Sequence, residues 1–376
     1  MEAKIPLKDQ ILNKERVTTL AQDIQRVYPG FDGSGFTRVV LDKFPELELK
    51  ARIAWISESL HKFLPDNYAK AVQILLDSLP PHDDAEPTET DFGIFTYAAY
   101  PDFVAKYGCN KENLVLSLKA LKEITKRFTA EDSIRYFINA FPKESFAEIL
   151  KWSKDSDYHV RRLASEGTRP ILPWSPRITT PPEDAMPILD NLFADSSRFV
   201  TRSVANHLND VSRTNPDLVL ATLHRWKASG KQDSKEMEFI TRQALRTLIK
   251  TGHPSTFTFL GFSTDPKVSV SGLRIKTNPV VLGNSLEFEL IITAQKDEQL
   301  IIDYILRFPN KVGSGHNKKV FKLKPATLRK GEVLTLFKKH PMRQMTTRKL
   351  YNGTYRLEIQ INGKRMAETT FEVRGV

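Results

Sequence analysis

The residues of this 376-residue chain best suited to chemistry gather between Trp152 and Asp210. Arg162 and Glu166 stand four apart, so on a helix they share a face. Arg202, Asn206 and Asp210 carry that spacing over two turns. A carboxylate so placed can stabilise positive charge or orient a water, and arginine suits bidentate contact with phosphate. The bland reading of Arg162 and Glu166 is a solvated ion pair of little energetic weight. Spacing by itself favours that reading. The next residues shift the balance. Gly167 can close the helix in a left-handed cap. Thr168 to Arg177 then brings Pro170, Pro173 and Pro176, which make the segment extended and stiff. Such a connector holds Trp174 at a fixed place beside the helix of Glu166. A core role for Trp174 stays open.

The elements that must position these residues repeat. Asp155, Val160 and Arg162 recur 40 residues later as Asp195, Val200 and Arg202, and Ile240 and Arg242 follow at the same interval. A helical period of about 40 residues predicts a HEAT-like solenoid. Val200, Val204, Leu208 and Val211 form an apolar stripe that should pack on the next repeat. Asn215-Pro216 opens a helix containing Trp226, and Asp233-Ser234 caps the helix of Arg242 and Arg246.

The segment SDYHVRRLASEGTRPILPW, with RSVANHLND downstream, resembles the AlkC branch of the AlkC/AlkD-like DNA glycosylases. The likeness runs over most of residues 1–260. The C-terminal part is similar to the immunoglobulin-like domain that some AlkC proteins carry. No AlkD-type active-site phrase is present. The resemblance implies excision of cationic N-alkylated bases, of the N3-methyladenine and N3-methylcytosine class, from double-stranded DNA without a deep base pocket. Cleaving an N-glycosidic bond builds positive charge on the sugar, and a carboxylate beside the anomeric carbon stabilises it. An alkylated cationic base leaves as a neutral molecule, so little acid catalysis is needed. On this reading Glu166 is the carboxylate, Glu131 and Asp210 are its helpers, and Trp174 packs on the sugar or the lesion. Arg162, Arg169, Arg202, Arg242 and Asn206 grip the DNA. No cofactor and no metal is expected.

Elsewhere the chain reads as support. Residues 5–28, 36–64, 67–79 and 111–127 have helical periodicity. Gly30 to Gly35 is a turn and not a phosphate loop, since no GxxxxGK[ST], CxxC or HExxH occurs. Pro80 to Glu89 is an acidic surface loop, Trp55 packs among the N-terminal helices, and the aromatics from Phe92 to Tyr107 are core. Thr129 is a natural N-cap with Asp132 three residues on, a capping-box-like pattern that places Glu131 in a favourable first turn. The alternative for Glu131 is a second carboxylate at the site, and both remain open. His159 and His207 are isolated, and His207 reads as a packed or capping group.

Beyond Asp265-Pro266 seven short alternating or apolar segments fit an immunoglobulin-like all-β sandwich. The expected domains are therefore a mainly α solenoid over 1–264 and a basic sandwich over 265–376. Residues 266–376 hold 21 Lys and Arg against 9 Asp and Glu, a net +12, and the rest of the chain is near neutral at −1. A basic module beside a neutral one fits a polyanion partner. Gly313 to Lys319 reads as a mobile basic loop in which His316, Lys318 and Lys319 reach DNA backbone. The single cysteine, Cys109, excludes an internal disulfide framework, and no apolar run of membrane-spanning length occurs. With no secretory signal at the N-terminus, a cytoplasmic monomer is expected. The rival reading is a non-catalytic HEAT-like scaffold that binds DNA or protein.

Overall fold

The computed structural model describes residues 5–82, 92–309, 316–344 and 349–375, with the His316 side chain outside that set. Most of the expected acidic loop after Pro80, and Gly313 to Gly315 of the expected basic loop, lie outside the described residues. Two compact units are present: 1–214 with 223–244, and 215–222 with 245–376. Besides residues 265–376, the second therefore takes in 245–264 and 215–222.

The first unit is helical. Its opening helices are α1 (Leu7–Ile11), α2 (Lys14–Val27), α3 (Gly33–Lys43), α4 (Leu49–Phe63) and α5 (Tyr68–Asp77). Then come α6 (Ala99–Gly108), α7 (Leu114–Ile124), α8 (Ile134–Ala140), α9 (Pro142–Trp152) and α10 (Tyr158–Glu166). They are followed by α11 (Met186–Leu192), α12 (Arg198–Val211), the later part of α13 (Pro216–Ser229), whose residues up to 222 belong to the second unit, and α14 (Ser234–Ala244). Gly33 to Gly35 is not a turn but the first turn of α3, because the Asp32 side chain accepts from the Gly35 N–H and caps it. Of the aromatic run, Phe95, Tyr97, Tyr100 and Phe103 are buried, while Phe92 is exposed. Trp55 is only half-buried and lies beneath the ammonium groups of Lys43 and Lys62.

The 40-residue interval has a physical content. α10 packs on α12, and α12 on α14. Val200, Val204, Leu208 and Val211 are all fully buried, as their stripe requires. The repeated aspartate does the same work twice. Asp155 accepts from the Asp157 N–H at 2.9 Å, and Asp195 accepts from the Ser197 N–H at 2.8 Å. Each also takes a cation from an earlier helix: Lys122 meets Asp155 at 2.6 Å, and Arg161 meets Asp195 at 2.6 Å. Within its turn the residue closes the bend before a helix; across turns it ties successive helices together.

The second unit contains α15 (Arg246–Thr251), α16 (Pro254–Phe259) and eight strands among the described residues. These are β1 (Val268–Ile275), β2 (Val280–Val281), β3 (Ser285–Ala294), β4 (Glu298–Pro309), β5 (His316–Leu328), β6 (Val333–Pro341), β7 (Gly353–Ile361) and β8 (Lys364–Arg374). They form sheets of order β1-β3-β6 and β2-β8-β7-β4-β5. Phe288, Leu290, Ile292, Ile302, Leu357, Ile359 and Phe371 fill the space between them. Helices α15 and α16 belong here because they are fastened to β7 and its turn. Gln360 donates to the Lys250 carbonyl, Asn362 donates to the Ser263 carbonyl at 3.0 Å, and Gly252 abuts Gly363 so closely that a Cβ on Gly363 would lie 2.7 Å from the Gly252 Cα.

Candidate active site

α10 begins at Asp157, whose carboxylate accepts from the N–H groups of His159 and Val160. Its last residue is Glu166. The expected left-handed cap is absent, for Gly167 has φ −64° and ψ −28°. The glycine is required by packing instead: a Cβ there would stand 2.5 Å from Ile134 Cγ2 and 2.9 Å from the Leu163 carbonyl oxygen. The left-handed residue comes later and is Trp174, with φ +73°. For a bulky L-residue that conformation costs about 1–2 kcal/mol. Trp174 is also 83% exposed, so no core contact offsets the strain and a core role is excluded.

The connector that presents Trp174 is gripped from inside by Arg135 on α8. Its guanidinium is fully buried and donates to the carbonyls of Gly167 (3.2 Å), Arg169 (2.6 Å), Pro170 (3.3 Å) and Pro176 (2.5 Å). Burial pushes its pKa down to about 10, which still leaves it charged near neutrality. Proline-rich backbone has few internal partners, and a planar fork of donors meets its carbonyls in one step. Nothing in the sequence marked Arg135, since one arginine in an amphipathic helix reads as surface.

Glu166 is 5% exposed and both carboxylate oxygens are engaged. Arg169 Nη1 donates to Oε1 at 2.5 Å and Ser203 Oγ donates to Oε2 at 2.6 Å. Arg162 Nη2 is 3.9 Å from Oε1 and 2.7 Å from Glu131 Oε2. Thr129 Oγ1 donates to Glu131 and accepts from Arg162 Nη1, both at 3.0 Å. Arg169 also reaches the buried Asp210 through Nε at 2.9 Å and Nη2 at 2.8 Å. Three carboxylates and two guanidiniums thus form one buried chain: Glu131, Arg162, Glu166, Arg169, Asp210. The solvated-pair reading of Arg162 and Glu166 is overturned by this burial.

The two glutamates are driven apart. Burial raises the pKa of Glu166, but Arg162 and Arg169, with the Ser203 and Arg169 hydrogen bonds, more than offset it and hold the carboxyl below its ordinary value. Burial raises Glu131 too, Glu166 repels its charge, and the pull of Arg162 and Thr129 does not recover the loss, so it ends above its ordinary value. One carboxyl is thereby kept anionic while its neighbour holds a proton more readily, a division that acid–base sites use.

Other expected site residues fall elsewhere. Arg162 and Arg169 are buried and engaged with carboxylates, which corrects their assignment as phosphate grips. Arg202 and Arg242 are exposed, and Arg242 meets Glu238 at 2.5 Å on its own helix. Asn206 accepts from the Gln243 side chain at 2.9 Å. The Thr129–Asp132 capping box does not form: α8 starts at Ile134 with no side-chain cap, and Asp132 turns to Lys50 and Ser175. His207 is buried as expected, its Nδ1 3.1 Å from the Ser165 carbonyl oxygen, and burial drives its pKa down to about 4. Lys318 and Lys319 lie exposed on strand β5 and not in a loop.

Known proteins resemble this chain along its length. Residues 97–248 match a family described as DNA alkylation repair enzyme, and residues 269–375 match the C-terminal Ig-like domain of the uncharacterised protein YhaZ. The YhaZ protein of Bacillus subtilis (strain 168) is 33% identical over 368 residues, covering 97% of this chain and 98% of that protein. The Pseudomonas fluorescens alkylpurine DNA glycosylase AlkC, solved bound to DNA containing an abasic site analog, superposes with a TM-score of 0.88 at 34% identity, covering 98% of this chain and 100% of that one. No helix among the described residues is long and apolar enough to cross a membrane.

Proposed function

The chain belongs to the DNA alkylation repair enzyme family, with a C-terminal immunoglobulin-like domain of the YhaZ kind, and from that premise we propose that it excises alkylated bases from duplex DNA by hydrolysing the N-glycosidic bond. The observation that carries this reading is the buried, charge-divided pair Glu131 and Glu166 beside an exposed Trp174, in a chain that matches an alkylpurine DNA glycosylase from end to end. The successive packing of α10, α12 and α14 supports a HEAT-like solenoid as its frame.

The substrate class follows from the charge. A fixed anion favours a cationic centre, and N3-alkylated adenine and cytosine are cationic before they leave. Glu166 is held ionised and pinned by Arg169 and Ser203. It supplies the negative charge that the oxocarbenium-like sugar needs as the bond breaks. Glu131, reached through Arg162, is the group placed to accept or return a proton of the attacking water. Asp210 keeps Arg169 turned toward Glu166. Trp174 offers a face to the sugar or the lesion. Exposed arginines such as Arg202 and Arg242, with Lys318 and Lys319, are the phosphate grips, and the protein acts as a monomer in the cytoplasm.

The test is release of free base from methylated duplex DNA, in chelator and without added metal, by wild type and Glu166→Gln. Wild type should release base. Glu166→Gln should lose roughly 100- to 1,000-fold in single-turnover rate, the scale of removing one preorganised charge-stabilising group, while still binding duplex. Tight duplex binding with no release by either protein would leave a scaffold and end the glycosylase reading.

A further inference from the structure

Trp174 is presented in a conformation that its own backbone disfavours, so something must hold it. Arg135 fixes the connector on both sides, at Gly167 to Pro170 and at Pro176. That leaves the tip from Ile171 to Ser175. At the tip two groups from distant parts of the sequence, Lys50 and Asp132, meet Ser175. Lys50, the second residue of α4, donates to the Trp174 carbonyl oxygen and, at 2.9 Å, to Asp132 Oδ2. Ser175 donates from Oγ to Asp132 Oδ1. The Ser175 N–H turns back to the Leu172 carbonyl at 3.3 Å.

The chemistry of this cluster is specific to the turn. Trp174, at φ +73°, lies in a turn outside any helix or strand, so no ladder supplies a partner for its carbonyl. A lysine ammonium is the donor it finds. Asp132 then neutralises that ammonium and takes the hydroxyl of the very next residue, so one carboxylate locks both the carbonyl of residue 174 and the side chain of residue 175. Asp132 directly follows Ala130-Glu131 on the segment that carries the raised carboxyl. The backbone that carries Trp174 is therefore anchored to the residue that follows Glu131. A backbone fixed beneath the indole narrows where the ring can stand before a substrate arrives.

We infer that Lys50, Asp132 and Ser175 are positioning residues that hold the exposed Trp174 ring in its reacting place by locking the left-handed turn beneath it. This rests on the reading of the protein as a glycosylase that uses Trp174, and its test separates the two. The lock has a readout that needs no activity. In protein labelled with fluorotryptophan, the resonance missing from Trp174→Ala identifies Trp174 by 19F NMR. Asp132→Asn and Lys50→Met should shift and broaden that line and leave the lines of Trp152 and Trp226 in place, while Lys50→Arg keeps the wild-type spectrum. In single-turnover excision Asp132→Asn and Lys50→Met should each lose about 10- to 100-fold, with melting temperature near wild type because Lys50 and Asp132 side chains are about half exposed, at 52% and 44%. In the Trp174→Ala background the same substitutions should cost nothing further, since their effect runs through the ring.

An unchanged Trp174 line in both clamp variants overturns the lock whatever the activity. So do losses that add in full to that of Trp174→Ala. A shifted line with no base release by wild type would instead leave the lock standing and remove the glycosylase reading.

Discussion

Both compact units bury carboxylates, and they treat them in opposite ways. In the helical unit Glu131, Glu166 and Asp210 share Arg162 and Arg169, and two carboxyl groups a side chain apart are pushed in opposite directions. In the β-unit Glu358 is fully buried between Arg307 and Arg365 and makes an ordinary paired charge. Asp303, 4% exposed, has no such pair among the described residues: burial lifts its pKa to about 6 against the weaker pull of Lys322 and Lys250. Net charge divides the other way, with −1 over residues 1–265 and +12 over 266–376. The near-neutral unit buries a connected chain of charges, from Glu131 through Arg162, Glu166 and Arg169 to Asp210. The basic one spreads its charge over the surface, where it can meet a polyanion. The helical unit shares and divides its buried charge at Glu131 and Glu166, and the β-unit does not at Glu358 and Asp303.

The sharpest way to break the comparison is to remove one buried glutamate from each unit. Glu166→Gln should abolish most base release, by roughly 100-fold or more. Glu358→Gln should leave the single-turnover rate within about twofold and lower the melting temperature, because it strands Arg307 and Arg365 beside an uncharged partner. Equal rate losses in the two variants would mean that the division of pKa values in the helical unit has nothing to do with catalysis.

Surface charge comes next in size. Lys318→Gln with Lys319→Gln should flatten the salt dependence of duplex binding by roughly 0.9 for each phosphate no longer neutralised, so by nearly 2 if both lysines touch backbone. Both lie exposed on β5, where Lys318 stands opposite Arg307 of β4. Substitution is cleaner here than deleting residues 266–376. Such a deletion would strip α15 and α16 of the strands that Gln360 and Asn362 fasten them to. An unchanged salt slope would put the phosphate grips elsewhere.

The sequence disclosed the outline of this site and hid its wiring, for physical reasons. The 40-residue period is written in residues that pack, such as Val160 and Val200, and in Asp155 and Asp195, which each close the local bend before a helix, so it survives translation into one dimension. The strands announced themselves by alternation, apart from the two-residue β2, too short to alternate. Glu166 and Trp174 stand out together in the sequence because both sit on one short segment. The sequence leaves Glu131 open between a cap and a site, because the Arg162 that joins it to Glu166 is 31 residues away. Arg135, Ser203 and Lys50 could not be found, because each acts on a carbonyl or carboxylate more than 30 residues away. In sequence Arg162 and Arg169 resemble phosphate grips, since spacing places a residue on a helix face but does not say that the next helix covers it.

Gly167 separates two readings of one residue. As a left-handed cap it would tolerate asparagine nearly as well as glycine. As a packing glycine at φ −64° it should tolerate neither asparagine nor alanine, since the Leu163 carbonyl oxygen, a backbone atom, blocks the Cβ. Gly167→Ala should therefore cost about 1–3 kcal/mol of stability, the range for overpacking a tight core. It should slow base release as well, because Arg135 and Glu166 both lean on this turn. An alanine variant as stable as wild type would mean the helix end can slide, and that the connector is less firmly seated than Arg135 implies.

The smallest effect expected is the most direct reading of the solitary carboxyl. Asp303 titrates at about 6 in the folded chain against 3.8 for a free aspartate. Between those values the folded state holds a proton that the unfolded state has lost. Stability contributed by this group is therefore present at low pH and falls as pH rises through about 6. Above that the ionised, buried carboxylate remains a constant liability of about 1–2 kcal/mol once solvent screening is allowed for. Asp303→Asn removes the titration. It should raise the melting temperature at pH 7.5 and flatten its dependence between pH 4 and 6 (both pKa values bracket that window), with excision unchanged. Glu166 has the reverse sign: its depressed pKa makes its contribution full at neutral pH and lost only when acid protonates it below the ordinary carboxylate range. A melting curve for Asp303→Asn that still sags from pH 4 to 6 would show that another group carries that slope, and the contrast between a shared buried charge and a solitary one would lose its clearest physical signature.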